Sequence, residues 1–248
     1  MYQETIGIVG GSGSYATLDF FGRLLECFPA EKENERPRII IDNNSPVPSR
    51  VRAILYGEHY KTVVEQLAGT VRYLMSGGAD KIIFVCSTAH AFLPEVLALV
   101  PEAEDKIVSL MACTKKAMTK DGVTHTVVIG SEGTLNAGVY DKSFRGEDQI
   151  TVYKPATEEY PEMRKFIESV KQKKITDGIL KEYMDFCSQL ADRHHTQNII
   201  LGCTEFPILG KEIQKNALVF QEYSKAYFRI KFWDPLECVL EYLGSHLK

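Results

Sequence analysis

The sequence predicts an α/β fold made of two similar parallel-sheet lobes related by pseudo-two-fold symmetry. Three observations predict it. Short β-branched apolar runs recur along the chain, longer amphipathic stretches separate them, and the motifs that end the runs in the first half return in the second half. Strands buried on both faces read as continuous apolar runs, and their alternation with helices marks βαβ units.

In order, the strand-like runs are TIGIVGG (5–11), RIIID (38–42), KIIFVC (81–86), IVSL (107–110), TVVIG (126–130), ITVY (150–153) and NIILGC (198–203). A late strand closes at Asp234, after Phe232-Trp233, where Asp234-Pro235 reads as a cap or turn. Helical stretches lie between most of the runs, for example over 60–76 and 180–191. The repeat is specific. TVVIGSEGTLNAG (126–138) echoes TIGIVGGSGSYAT (5–17), each a strand, a glycine turn and then small or hydroxyl residues. NIILGCTEFP (198–207) echoes KIIFVCSTAH (81–90), each a strand ending in cysteine and then a hydroxyl residue. Gly10 and Cys86 are 76 residues apart, and Gly130 and Cys203 are 73 apart. Two pairs of signals in one order at near-equal spacing point to a duplicated unit, with the halves meeting around residues 111 to 116.

Composition narrows the function classes. The 248 residues are 44% hydrophobic and 25% charged, as in an ordinary globular chain. A formal net charge of -4 supplies no basic field for nucleic acid. Lys171, Lys173 and Lys174 form a short basic run that reads as a solvated helix face. No secretory signal and no apolar run of about 20 residues is visible, so no membrane partner is expected. The six cysteines are scattered without CxxC spacing, which reads as free thiols in a reducing cytoplasm. No metal-knuckle spacing is present, and His90, His194 and His195 read as non-ligands.

Ligands of open α/β sheets bind beyond the carboxyl ends of the strands. Gly10–Ser14, Cys86–Thr88, Gly130–Thr134 and Cys203–Glu205 all occupy such ends. A cysteine ending a buried strand is ordinarily a small core residue, and Cys27, Cys113, Cys187 and Cys238 read that way. Cys86 and Cys203 differ because hydroxyl residues follow each thiol at a turn, and approximate two-fold symmetry would set the two thiols face to face across one cleft. The turn GSGSYA (11–16) also fits the dinucleotide fingerprint, with Asp42 ending the next strand. Asp42 lies 31 residues beyond Gly11, farther than usual, and a glycine turn suits any carboxylate equally well. Arg50, in PVPSRVR (46–52), is a candidate bidentate carboxylate ligand or a plain surface arginine.

The segments GIVGGSGSYAT (7–17), NNSPVPSR (43–50), CSTAH (86–90), GSEGTLNAGVY (130–140) and GCTEFP (202–207) together resemble the aspartate/glutamate racemase superfamily, in its aspartate racemase branch. Cys-Thr-Glu after the last of these strands resembles aspartate and broad-specificity racemases; cell-wall glutamate racemases carry Cys-Thr-His there. The resemblance implies racemisation of a small acidic amino acid with no pyridoxal phosphate, metal or nucleotide cofactor, and a homodimer. It implies a first lobe of residues 1–112 plus 215–248, a second lobe of 113–214, and an active site between them. It assigns Cys86 and Cys203 as the two proton-transfer thiols. Gly11, Ser12, Ser14, Ser87, Thr88, Thr134, Thr204 and Glu205 line the substrate in this view, and Arg50 meets its side-chain carboxylate. A lysine of the second lobe joins there, with Lys171 taken first and Lys173 or Lys174 as alternatives. Two departures stand out. Ser87 replaces the usual Asn after the first cysteine, which opens the question of substrate identity. Ser12, Ser14 and Tyr15 replace residues of the usual Gly-Gly-Met-Gly-Pro turn, and loss of the proline is expected to leave that loop freer. A non-racemising member of the superfamily, a silent dicarboxylate-binding protein and a nucleotide-dependent oxidoreductase are the competing readings.

Overall fold

A computed structural model describes residues 2–146 and 149–247. The chain divides into two compact units, Met1–Thr114 with Leu236–Lys248, and Lys115–Pro235. Each is an α/β lobe on a four-stranded parallel sheet.

The first unit runs β1 (Ile6–Val9), α1 (Ser14–Cys27), β2 (Ile39–Asp42), α2 (Arg50–Tyr56), α3 (Tyr60–Ser76), β3 (Lys81–Phe84), α4 (Leu93–Leu99), β4 (Ile107–Val108) and the start of α5 (Leu110–Lys120), whose residues from Lys115 belong to the second unit. Its strands lie in the order β2-β1-β3-β4, with Val9 beside both Asp42 and Phe84. Ile82 and Phe84 meet the apolar stripe Val63, Leu67, Val71 and Leu74 of α3, all inaccessible to solvent or nearly so. The 3.6-residue period of that stripe turns one face of α3 to the sheet, and each such buried side chain contributes about 1.5–3 kcal/mol. Gly7 is small for the same contact: a Cβ there would lie 2.9 Å from Ala79 and 3.4 Å from Leu74. Right-handed crossovers from β1 to β2 and from β2 to β3 run in opposite directions across the sheet, so α1 covers the other face. The chain closes that face with α12 (Pro235–His246), whose Leu240 carbonyl accepts from Cys27 and whose Glu237 pairs with Arg23.

The second unit runs β5 (His125–Gly130), α6 (Glu132–Ala137), α7 (Val139–Ser143), β6 (Thr151–Tyr153), α8 (Tyr160–Lys171), α9 (Asp177–Arg193), β7 (Asn198–Gly202), α10 (Phe206–Lys215), α11 (Ala217–Tyr223) and β8 (Lys231–Trp233). Its order, β6-β5-β7-β8, repeats that of the first sheet strand for strand. Gly202 fits where a Cβ would stand 2.8 Å from the Ile129 carbonyl oxygen.

Both boundaries differ from expectation, the first by only two residues, at Thr114 and not at 112. The chain returns to the first unit at Leu236, not at 215. The reason is β8, which pairs with β7 from Asn198↔Lys231 to Ile200↔Trp233 and so holds α10 and α11 in the second unit. Among the described residues, no helix is long and apolar enough to cross a membrane.

Candidate active site

In the first unit, three chain segments leave adjacent strands together at the carboxyl edge. Gly10 donates to Asp42 (2.9 Å) and Val85 donates to Val9 (3.1 Å), which keeps the three strands in step to their last residues. Gly11 follows at φ 82°, where a Cβ would fall 2.4 Å from the Asn44 carbonyl carbon. This position therefore needs glycine for both backbone conformation and close approach. Gly11→Ala is expected to cost about 1–3 kcal/mol, read as a lower denaturation midpoint. Gly22→Ala in α1 is the control, because its Cβ meets nothing within 4 Å.

The missing proline does not free this loop. Ser14 Oγ accepts from Asn43 Nδ2 (2.9 Å) and lies 3.2 Å from Ser45 Oγ, so the loop after β1 is tied to the loop after β2. Ser12 stands in the same turn, half-exposed, and Tyr15 is 64% exposed. Arg50 opens α2 behind the Ser49 cap. Its Nη1 donates to the Val47 and Pro48 carbonyls, while its buried Nε has no partner.

Cys86 ends the third strand segment in extended backbone and begins a 3-10 turn, Ser87–Phe92. The thiol is half-buried, whereas Ser87 and Thr88 are buried behind it. The Cys86 carbonyl accepts from Ala89 N (3.2 Å), and His90 Nδ1 lies 3.0 Å from it.

The second unit repeats this arrangement. Ser131 caps α6 through Thr134 N (3.3 Å) and pairs with Thr134 Oγ1 (3.0 Å) just beyond Gly130. Cys203, also half-buried, follows β7 as Cys86 follows β3. Its carbonyl accepts from Phe206 N (3.2 Å), the same third-residue turn as at Cys86. The Cys203 thiol donates to Glu205 Oε2 (2.9 Å), and Thr204 Oγ1 donates to that oxygen (3.2 Å). Glu205 is buried, so its carboxylate is engaged first by the thiol and hydroxyl of its own turn.

Lys171 ends α8, exposed and paired with Glu168 (3.3 Å). Since α9 leads straight into the amino end of β7, and Arg193 at its far end pairs with Glu159 before α8, the two helices are antiparallel. The turn 172–176 between them, with Lys173 at φ 55°, then lies toward the carboxyl edge that carries Cys203.

The remaining thiols behave as packing groups. Cys113, Cys187 and Cys238 are buried, and burial pushes Cys187 far above the ordinary thiol range. Burial likewise raises Cys27, with Glu237 adding to the effect. Among the described residues, no cluster of three or more His, Cys, Asp or Glu is grouped to hold a metal ion.

Sequence reasoning passed over Asn43, Ser45 and Ser131, and took His90 only as a non-ligand. The last had a signal: four residues after a cysteine that starts a turn, an imidazole reaches back to that cysteine's carbonyl.

The Asp/Glu/Hydantoin racemase family matches residues 8–239. The chain belongs to this family. Among curated relatives, glutamate racemase of Persephonella marina is 30% identical over 169 residues, covering 64% of this chain and 60% of that protein, under two thirds of its length. The broad specificity amino-acid racemase RacX of Bacillus subtilis is 24% identical over 219 residues, covering 84% of this chain and 88% of that protein. Solved members of the family share the fold. Picrophilus torridus aspartate racemase superposes with a TM-score of 0.72 at 22% identity, covering 99% of this chain and 96% of that one. Glutamate racemase from Campylobacter jejuni gives 0.67 at 19%, covering 98% and 87%.

Proposed function

We propose that this protein racemises a small acidic amino acid, with aspartate preferred, by proton transfer at Cα between Cys86 and Cys203 and without a cofactor. The observation that carries the reading is the equivalence of the two thiols: each half-buried, each opening the turn that follows the third strand of its sheet, each with its carbonyl held by the third amide on. In this reading the two thiols address opposite faces of Cα.

One thiolate removes the α-proton as the opposite thiol delivers its own, and the roles exchange for the reverse direction. The Cys203 thiol, donating to Glu205, is the proton-bearing member in this arrangement, which leaves Cys86 as the base for one enantiomer. Arg50 receives the side-chain carboxylate with a guanidinium that its Nη1 anchors on the Val47 and Pro48 carbonyls. Ser12, Ser87, Thr88, Thr134 and Thr204 offer hydroxyls to the α-carboxylate and the carbanion-like intermediate, with a lysine of the 171–174 run closing the site. A pre-aimed donor at such a position is worth about 2.7–4 kcal/mol. The Cys-Thr-Glu turn and the aspartate racemase among the structural relatives support aspartate; the glutamate racemases among the relatives keep glutamate in the trial.

The test is incubation with L- and D-aspartate and with glutamate in D2O, without pyridoxal phosphate. Proton NMR is expected to show loss of the α-hydrogen signal, and chiral chromatography to show the opposite enantiomer. Ligand-induced thermal stabilisation without isotope exchange would instead mark a silent dicarboxylate-binding protein.

A further inference from the structure

We propose that His90 is a positioning residue for Cys86, fixing the thiol's backbone to the first amide of α5 through a single neutral imidazole. The inference rests on the reading of Cys86 as a proton-transfer group, and it gives a role to a buried histidine that the racemase chemistry itself does not use.

Two contacts define the arrangement. Leu110 N donates to His90 Nε2 (3.4 Å), so that nitrogen is an acceptor. The ring proton is then on Nδ1, which donates to the Cys86 carbonyl (3.0 Å). Leu110 is the first residue of α5, and an amide in the first turn of a helix has no acceptor within the helix. The imidazole therefore satisfies an orphan donor with one nitrogen and grips the cysteine peptide with the other.

The surroundings hold the ring in place. His90 is 7% exposed and meets the Phe84 ring edge-on, with centroids 5.9 Å apart. Burial pushes its pKa down to about 4, so the ring stays neutral across the physiological range. Protonation would turn a second N–H toward the Leu110 N–H and break the pair. The Cys86 carbonyl is thus held twice, by Ala89 N and by His90, in backbone whose capping residue has no side-chain hydrogen bond of its own. Fixing that peptide plane fixes the direction in which the half-buried thiol leaves the chain, and proton transfer is sensitive to misplacement on the ångström scale.

Two amide variants separate the contacts. In His90→Asn the side-chain NH2 occupies the place of Nδ1 and keeps the bond to Cys86. In His90→Gln the terminal amide reaches the place of Nε2 and keeps only the contact to α5. The measurements are the pH profile of Cys86 alkylation by iodoacetamide, resolved by peptide mass spectrometry on the intact protein, and kcat and KM for α-proton exchange.

His90→Gln is expected to shift the Cys86 profile and lower kcat about tenfold with KM nearly unchanged, the scale of one lost hydrogen bond. The Cys203 profile should not move, and His90→Asn should restore wild-type behaviour to within about threefold. Equal profiles and equal kcat in wild type and both variants would overturn the proposal, as would an equal loss in Asn and Gln. If the wild type shows no exchange at all, the racemase reading fails, and the alkylation arm still decides the role of His90. Should either variant fail to fold, 15N NMR of the wild-type histidines decides: a His90 ring carrying its proton on Nε2 overturns the inference.

Discussion

Cys86→Ser and Cys203→Ser are each expected to lower racemisation by about 10²–10⁴-fold, the range of a positioned acid or base, while leaving the melting temperature close to wild type. Serine keeps the size and the turn, so the carbonyl bonds from Ala89 and Phe206 have no reason to change. What is lost is the thiol, a class of group that gives up its proton far more readily than the serine hydroxyl that replaces it. The two variants should also fail differently. With Cys86 changed, exchange of the enantiomer it serves as base disappears, while exchange of the mirror form by Cys203 is partly kept; with Cys203 changed, the pattern reverses. Early in wild-type turnover in D2O, deuterium should appear in the product before the remaining substrate, because the base that removes the proton is not the acid that returns one. Full activity in either variant, or the same enantiomer silenced in both, would defeat the two-thiol scheme.

The second large effect is on stability in acid. An unfolded histidine takes up its proton near pH 6.5, whereas His90 in the folded chain does so only at about 4. Between those values the unfolded state binds the extra proton, so stability falls as pH falls. The loss begins near pH 6.5, grows down to about 4, and reaches about 3 kcal/mol for a shift of this size. Below about 4 both states are protonated and the contribution levels off. Urea midpoints measured between pH 7 and pH 4 should show this slope in the wild type. His90→Asn should flatten it, whatever its own stability at neutral pH. A variant as acid-sensitive as the wild type would mean that His90 is not held neutral by burial.

Much of the fold was legible because its signals are local. Runs such as IGIV and KIIF read as strands buried on both faces, and their echo at 126–130 and 198–203 matches a strand order that repeats in full. The strand-end position of both cysteines follows from the same pattern. The return of the chain was less legible: nothing in Lys231–Trp233 says which sheet it joins, because pairing with β7 depends on residues more than 30 positions away in sequence. The site was readable as residue types but not as partners. Glu205 was expected to line the substrate, yet its burial and its bond to the neighbouring thiol depend on how the turn folds back on itself. Ser14 in place of proline was expected to loosen a loop, and a hydroxyl cluster formed by Asn43 and Ser45 of another segment holds it instead.

The boundaries of the two units set an order of events during synthesis. The second unit is one unbroken stretch, Lys115–Pro235, so every strand of its sheet is available once that stretch has left the ribosome. The first unit begins to emerge earlier but finishes later. Its sheet is made before Thr114, yet the helix that covers one face, with Val239, Leu240 and Leu243 buried, follows the whole of the second unit. Until α12 arrives, Cys27 and Arg23 of α1 lack the partners it supplies, and the nascent first unit leaves apolar surface uncovered. A chain truncated before Leu236 should therefore keep a folded second unit and a first unit that sticks to chaperones.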